Sequence, residues 1–171
     1  MRAIRVHEPG DPDVMSLEDI ELAAPSDGEA LVGVDVVGVN MIDVQQRSGN
    51  YPVPMPYTPG SEGAGVVIDV GAGVDHLVPG DRVAYAMEPG SYAESALVPA
   101  DRLVPIPEAL EVDVAAAVLL QGMTAHFLVG SIAPLEAGDV VVVHASSGGV
   151  GLLLTQMAAR RGLVVVGTTS T

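Results

Sequence analysis

Ser146, Gly148 and Gly151 are spaced as S-x-G-x-x-G within Ala145-Ser146-Ser147-Gly148-Gly149-Val150-Gly151. That is the G-x-G-x-x-G pattern with serine in the first place. The chemistry served by such spacing is the holding of a pyrophosphate. A small first residue and Gly148 permit a tight turn and bring backbone close to phosphate oxygens. A helix opening just behind the turn presents unpaired N–H groups at the positive end of its dipole. Gly151 lets that helix lie close against the strand before it. The competing reading is a tight strand-to-helix turn that binds nothing. About twenty residues further on, NAD sites carry an acid for the ribose hydroxyls. Here the run Gly167-Thr168-Thr169-Ser170-Thr171 has none. Small hydroxyl residues leave room for a 2′-phosphate and can donate to it, which favours NADP over NAD.

The elements around the motif fit that chemistry. Residues 140–144 form a continuous apolar run of strand length, and 163–166 form another. Between them, 150–161 reads as a helix, with Leu153, Leu154, Met157 and Ala158 at helical spacing and Gly162 in the place of a C-cap glycine. This β–loop–α–β unit implies parallel strands. The first hundred residues read differently. Strand-like runs at 2–7, 30–39, 65–70, 82–86 and 91–98 are separated by Gly/Pro punctuation, which predicts a barrel or sandwich. A short helix is predicted over 41–48, a helix over 111–120 with Glu111 and Asp113 in its first turn, and a further helical stretch over 124–131. A polar turn at 134–139 leads into the strand at 140.

Bulk properties narrow the partners. The formal charge is −15, from 22 acids against seven arginines, with no lysine. Such a surface repels phosphate backbones and argues against nucleic acid. With no cysteine, disulfides and thiolate metal sites are excluded. The apolar runs at 139–144 and 163–167 are too short to cross a bilayer. No secretory signal is visible after Arg2 and Arg5, so a cytoplasmic protein without a membrane partner is expected. His144, on an apolar strand, and His126, in an apolar helix, read as packed core residues, whereas His7 and His76 read as surface.

Several separated segments, in order along the chain, carry a family resemblance. They are Val39-Asn40-Met41-Ile42-Asp43, Arg47-Ser48-Gly49, Pro59-Gly60-Ser61-Glu62-Gly63-Ala64-Gly65, Gly80-Asp81-Arg82-Val83 and residues 144–151. Together they resemble the medium-chain dehydrogenase/reductase superfamily. Gly151-Leu152-Leu153-Leu154-Thr155-Gln156 is similar to its quinone oxidoreductase (zeta-crystallin-like) branch. The resemblance implies an α+β, GroES-like β-barrel catalytic domain over 1–124, incomplete at its C-terminal part. It is followed over 125–171 by the start of an α/β Rossmann domain. It also implies NADPH as cofactor and hydride transfer from nicotinamide C4 to a quinone or an electron-poor alkene or carbonyl. Zinc-dependent relatives read Gly-His-Glu where this chain has Gly60-Ser61-Glu62, so Ser61 stands in the place of a metal ligand and a zinc-free enzyme is implied.

Site residues follow from the same resemblance. Asn40 matches a position near the nicotinamide, Tyr51 an aromatic at the substrate cleft, and Thr124 a residue beside the nicotinamide carboxamide; these three are the catalytic candidates. Asn40, Gln121 and Thr124 would also bind cofactor, Gln121 replacing a lysine seen in relatives. Ser146, Gly148, Gly149, Val150 and Gly151 would cradle the pyrophosphate, with Thr168 and Ser170 facing the adenosine ribose. Gln45 stands where relatives often carry tyrosine. Asp43 suits a capping role and a site role equally, and Glu62 reads as satisfying backbone groups. Family members are nearly twice this length, and two parallel strands want neighbours on either side. The chain is therefore expected to be a partial enzyme with little turnover alone. Alternatively, it is a non-catalytic GroES-like interaction module, or half of a two-chain enzyme whose sheet a second polypeptide or homo-oligomer completes.

Overall fold

The computed structural model describes residues 1–170; Thr171, the last of the hydroxyl run, lies outside them. The chain divides into two compact units, Met1–Ala117 and the part from Val118 onward. The division falls inside a helix, where the sequence reading sets it at 124/125.

The first unit is built on antiparallel strands. A hairpin-like pair, β1 (Arg2–Val6) and β2 (Met15–Asp19), is antiparallel with Ala3 opposite Glu18. The main sheet contains β3 (Glu29–Val37), β4 (Glu62–Val70), β5 (Arg82–Ala86), β6 (Ser95–Pro99) and β7 (Val104–Pro105), in the order β6-β3-β4-β5-β7. Bridges Ala3↔Ala93 and Val6↔Tyr57 tie the small sheet to loops of the large one. Between β3 and β4 runs the seven-residue helix α1 (Met41–Arg47). Register shifts at Leu31/Val32 and Val34/Val36 mark irregularities in β3 that add twist to the sheet. Val32, Val67, Val83, Val98 and Tyr85 are wholly buried and form the centre of the core, with Leu77, Ala96 and Leu103 around them. Pro105, which cannot donate to a ladder, sits on the terminal strand β7.

The strands differ from the sequence expectation at several points: β6 starts at Ser95 and not at 91, and β7 and β2 are additional. β4 starts at Glu62, not at 65, because Glu62, Gly63 and Ala64 pair with Ala86, Tyr85 and Ala84. Cross-strand pairing carries residues of low strand propensity into the ladder. β2 is not signalled by a Val/Ile run; it forms because Met15, Ser16, Leu17, Glu18 and Asp19 lie in register against β1.

The helix that spans the division, α2 (Val112–Gly130), is a single 19-residue element. It replaces the two helical segments expected at 111–120 and 124–131. Gly122 does not break it, since a helical glycine costs only about 1 kcal/mol. Among the described residues this helix alone has the length and hydropathy (mean 1.6) of a membrane span. Ala115, Ala116, Ala125 and Val129 are buried in the protein.

The second unit is a βαβ unit. β8 (Val140–Val143) and β9 (Val164–Gly167) are parallel, Val140 opposite Val164, and α3 (Gly149–Arg160) connects them. Val129, Ala158 and Leu163 form its core with Val141, Leu154, Met157 and Val165 packed around them. Gly162, at φ +77°, follows the end of α3 as a left-handed residue should.

Burial of Tyr85 gives a pH dependence. Its side chain is wholly buried, and burial pushes the phenol up from 10.0 to about 12. Between these values the unfolded chain loses the proton and the native chain keeps it, so stability is fully present below pH 10 and falls as pH rises towards 12. Two such pH units correspond to about 2–3 kcal/mol. Urea titrations at pH 9 and pH 11.5, followed by tyrosine fluorescence, will show a lower midpoint at the higher pH. All four tyrosines lie in the first unit, so the signal reports that unit. The Tyr85→Phe variant will lose part of the difference, the rest coming from Tyr92 and Tyr57, whose phenols burial and the Asp43 carboxylate also push up.

Candidate functional site

In the second unit the motif folds into a turn between β8 and α3. The left-handed conformation falls on Ala145, at φ 51°, and not on a glycine. Gly148 takes an ordinary extended conformation (φ −78°, ψ 169°) as N-cap of α3, and no side chain caps the helix there. The Gly148 N–H donates to the Ala145 carbonyl at 2.9 Å. Gly151 is required by close approach: a Cβ there would lie 2.2 Å from the Ala145 oxygen and 2.7 Å from Ser146 Cα. The helix N-terminus is thereby pressed onto the loop, its first N–H groups uncapped by any side chain. That arrangement suits an anionic ligand. Non-glycine residues in the left-handed region carry strain of about 1 kcal/mol. Ala145→Gly is expected to leave NADPH binding within about twofold and to raise stability slightly, by chemical denaturation.

The serine in place of the first glycine has its own partner. Ser146 donates both its N–H, at 2.9 Å, and its hydroxyl, at 3.2 Å, to the Thr168 carbonyl. A Cβ on Gly167 would lie 2.6 Å from Ser146 Oγ, so Gly167 makes room for that hydroxyl. The loop is thus sewn to the end of β9. Ser147 and Thr169 share a hydroxyl hydrogen bond at 2.8 Å, and His144 Nδ1 meets Thr168 Oγ1 at 2.9 Å. Thr168 and Ser170 are exposed at that edge. His144 and His126 are both exposed, contrary to the expectation of core residues: His144 begins the turn beyond the buried Val143, and His126 follows the buried Ala125 on the other side of α2. On α2, Thr124 donates its hydroxyl to the Leu120 carbonyl at 2.9 Å. Gln121 lies one turn earlier and is half-buried.

In the first unit a buried polar network surrounds the start of α1. Asp43, 4% exposed, accepts from the Asn40 N–H at 2.9 Å, the Ser61 hydroxyl at 2.8 Å and the Tyr92 hydroxyl at 3.1 Å. Asn40, the N-cap, donates Nδ2 to Glu62 Oε2 at 2.9 Å. The Glu62 N–H in turn donates to Ser91 Oγ at 3.1 Å. Glu62 Oε2 therefore holds a side-chain amide, where the sequence reading expects the carboxylate to satisfy backbone groups. Burial, and then the Asp43 carboxylate, push the Tyr92 phenol well above its usual range. Asp43 and Tyr92 also border a mostly apolar groove of about 560 Å³, lined further by Ile4, Met15, Val37, Val44 and Arg47. Tyr51, after α1, is 59% exposed. Ser61, Ser91 and Tyr92 were not foreseen as a group. Their separations from Asp43 and Glu62 along the chain carry no local signal.

The comparisons agree on one lineage. Residues 26–108 match the alcohol dehydrogenase GroES-like domain. Over 169 residues the chain is 40% identical to a probable quinone oxidoreductase of Schizosaccharomyces pombe, covering 98% of this chain and 51% of the relative. The chain spans about half the length of the curated relatives it matches. Among solved structures, a mycobacterial protein complexed with NADPH has 44% identity and a TM-score of 0.96, covering 100% of this chain and 53% of that one. An Escherichia coli quinone oxidoreductase complexed with NADPH has 36% identity and a TM-score of 0.97 at the same coverage. With its GroES-like segment and its glycine-loop βαβ unit both matched, the chain belongs to the medium-chain dehydrogenase/reductase superfamily, in the branch of the quinone oxidoreductases.

Proposed function

We propose that this chain is part of an NADPH-dependent quinone reductase. In this reading unit two holds the cofactor's pyrophosphate on the uncapped amides of Gly149, Val150 and Gly151, while Ser146 and Gly148, whose N–H is held by the Ala145 carbonyl, shape the turn that lets backbone approach it, and Thr168 and Ser170 face the adenosine ribose. The observation that carries it is the α3 N-terminus pressed onto the loop with no side-chain cap. The NADPH complexes of two solved relatives support the choice of ligand. Bound NADPH would supply hydride from nicotinamide C4 to a quinone or an electron-poor alkene or carbonyl, a quinone taking up a proton as well to become the hydroquinone.

The protein's own residues would bind and orient. Asn40, its amide NH2 held by Glu62 and its backbone N–H by Asp43, would offer its side-chain oxygen as a fixed acceptor. Tyr51 and Thr124 would add hydrogen bonds to acceptor and carboxamide. The reading needs no zinc: Ser61 spends its hydroxyl on Asp43, and the sequence has no cysteine to supply a thiolate. It takes the protein as cytoplasmic and without a nucleic-acid partner, as a net charge of −15 favours.

A second polypeptide, or a second copy, is part of the same reading. Val140, Val142, Val164 and Val166 are between 48% and 65% exposed on one face of the β8–β9 pair. A parallel sheet is ordinarily covered on both faces. The apolar groove beside Asp43 also calls for cover. The 171-residue chain alone will therefore oxidise NADPH with 1,4-benzoquinone slowly or not at all, and a polypeptide matching the other half of the relatives will restore turnover.

The direct test is NADPH fluorescence titration of the purified chain, with NADH alongside. Saturable binding with NADPH at least tenfold tighter is expected. No detectable binding by a folded chain would transfer support to the alternative, a GroES-like interaction module without catalysis.

A further inference from the structure

The glycine at position 149 is not explained by its backbone. It is the first residue of α3 with a helical conformation that any residue adopts. What a side chain there would displace is the end of Gln121: a Cβ on Gly149 would lie 1.9 Å from Gln121 Oε1 and 2.9 Å from its Nε2. The α2 side chain is thus seated on the loop, its carbonyl end against Gly149 and its NH2 end further off. The hydroxyls nearby are engaged within the protein. Ser146 donates to the Thr168 carbonyl, Thr124 to the Leu120 carbonyl, and Ser147 pairs with Thr169. Among the described residues, no lysine or arginine lies at this end of the unit. From Val118 onward its only arginines are Arg160 and Arg161, at the far end of the 12-residue α3, roughly 18 Å from its start.

We propose that Gln121 is a cofactor-contacting residue: its side-chain NH2 donates to a pyrophosphate oxygen of the dinucleotide, completing with a neutral donor from α2 the set begun by the loop amides. This rests on the reading of the loop as the NADPH site. Gly149 then serves as the seat that brings Gln121 to the anion, a role its backbone conformation does not require. Neutral donors orient a phosphate without adding Coulombic attraction, so the wild-type affinity depends weakly on salt.

The test is NADPH fluorescence titration of the 171-residue chain and its Gln121 variants, at 50 and 300 mM salt. Gln121→Ala should weaken binding about five- to tenfold, and Gln121→Glu by more than Gln121→Ala, through repulsion. Gln121→Lys should bind at least as tightly as wild type and show the steepest salt dependence. Gly149→Ala, which displaces the amide, should weaken binding like Gln121→Ala and add nothing further in the double variant. All Gln121 variants binding within twofold of wild type, or losing affinity equally whatever their charge, would overturn the proposal. If wild type itself fails to bind NADPH, the loop assignment falls first, and this inference with it. Unchanged far-UV circular dichroism across the set confirms that the variants are folded.

Discussion

Gly151→Ala is expected to weaken NADPH binding by about a hundredfold and to destabilise the second unit by about 3 kcal/mol. The added methyl would stand 2.2 Å from the Ala145 carbonyl oxygen, and that atom is backbone, with no rotamer to give way. Relief requires α3 to move off the loop by about an ångström, and the same movement withdraws the helix N–H groups from their common focus. Anion affinity at a helix N-terminus depends on those groups pointing together, so geometry and dipole are lost at once. A hundredfold corresponds to about 2.7 kcal/mol. Fluorescence titration reads the affinity, and amide hydrogen exchange in α3 reads the stability. A variant that binds within threefold of wild type would show that the helix does not need its seat on Ala145.

Asp43→Ala carries the second large effect, in the first unit. Three donors converge on this carboxylate: the Asn40 N–H, the Ser61 hydroxyl and the Tyr92 hydroxyl. Removing the acceptor leaves them in a site where Asp43 itself is only 4% exposed. Each buried unsatisfied donor costs about 1–3 kcal/mol, so a total near 4 kcal/mol is expected, some of it recovered by rotation of the hydroxyls. Asp43→Asn keeps the shape and one acceptor oxygen and should lose about half as much. Urea unfolding followed by tyrosine fluorescence isolates this unit, because all four tyrosines belong to it. A loss below about 1 kcal/mol for Asp43→Ala would mean that the three donors find other partners.

The two halves of the candidate site differ in how far the sequence discloses them. The loop, α3 and the two flanking strands are legible because everything that specifies them is local. Apolar runs of strand length, a 3.6-residue repeat and glycines at fixed offsets all fall within 28 residues, from Val140 to Gly167. The Asn40–Glu62 and Asp43–Ser61–Tyr92 bonds span 22, 18 and 49 residues. Only the antiparallel pairing of β4 with β3 and β5 brings them together, and no spacing rule reports it. Glu62 in particular sits among glycines and a serine, where acids ordinarily mark a turn. Its full burial becomes visible only with β4 in the ladder.

Histidine exposure illustrates a different limit. His144 continues an apolar run, yet burial ends at Val143, because the next residue already turns away towards the loop. Hydrophobic continuity fixes where a strand lies, with an uncertainty of one residue at its end, and for His144 that residue decides between core and edge. At α2 the opposite happened. The sequence reading expects two helical stretches, over 111–120 and 124–131, but the helix runs through, and that continuity is what carries Gln121 to Gly149. A weak local preference gave way to tertiary packing.

The loop assignment is best tested amide by amide. In a 1H–15N NMR titration of the 171-residue chain with NADPH, the backbone signals of Gly149, Val150 and Gly151 should move first and furthest, saturating together with the fluorescence change. Shifts that spare these amides, while others in the chain respond, would contradict the account.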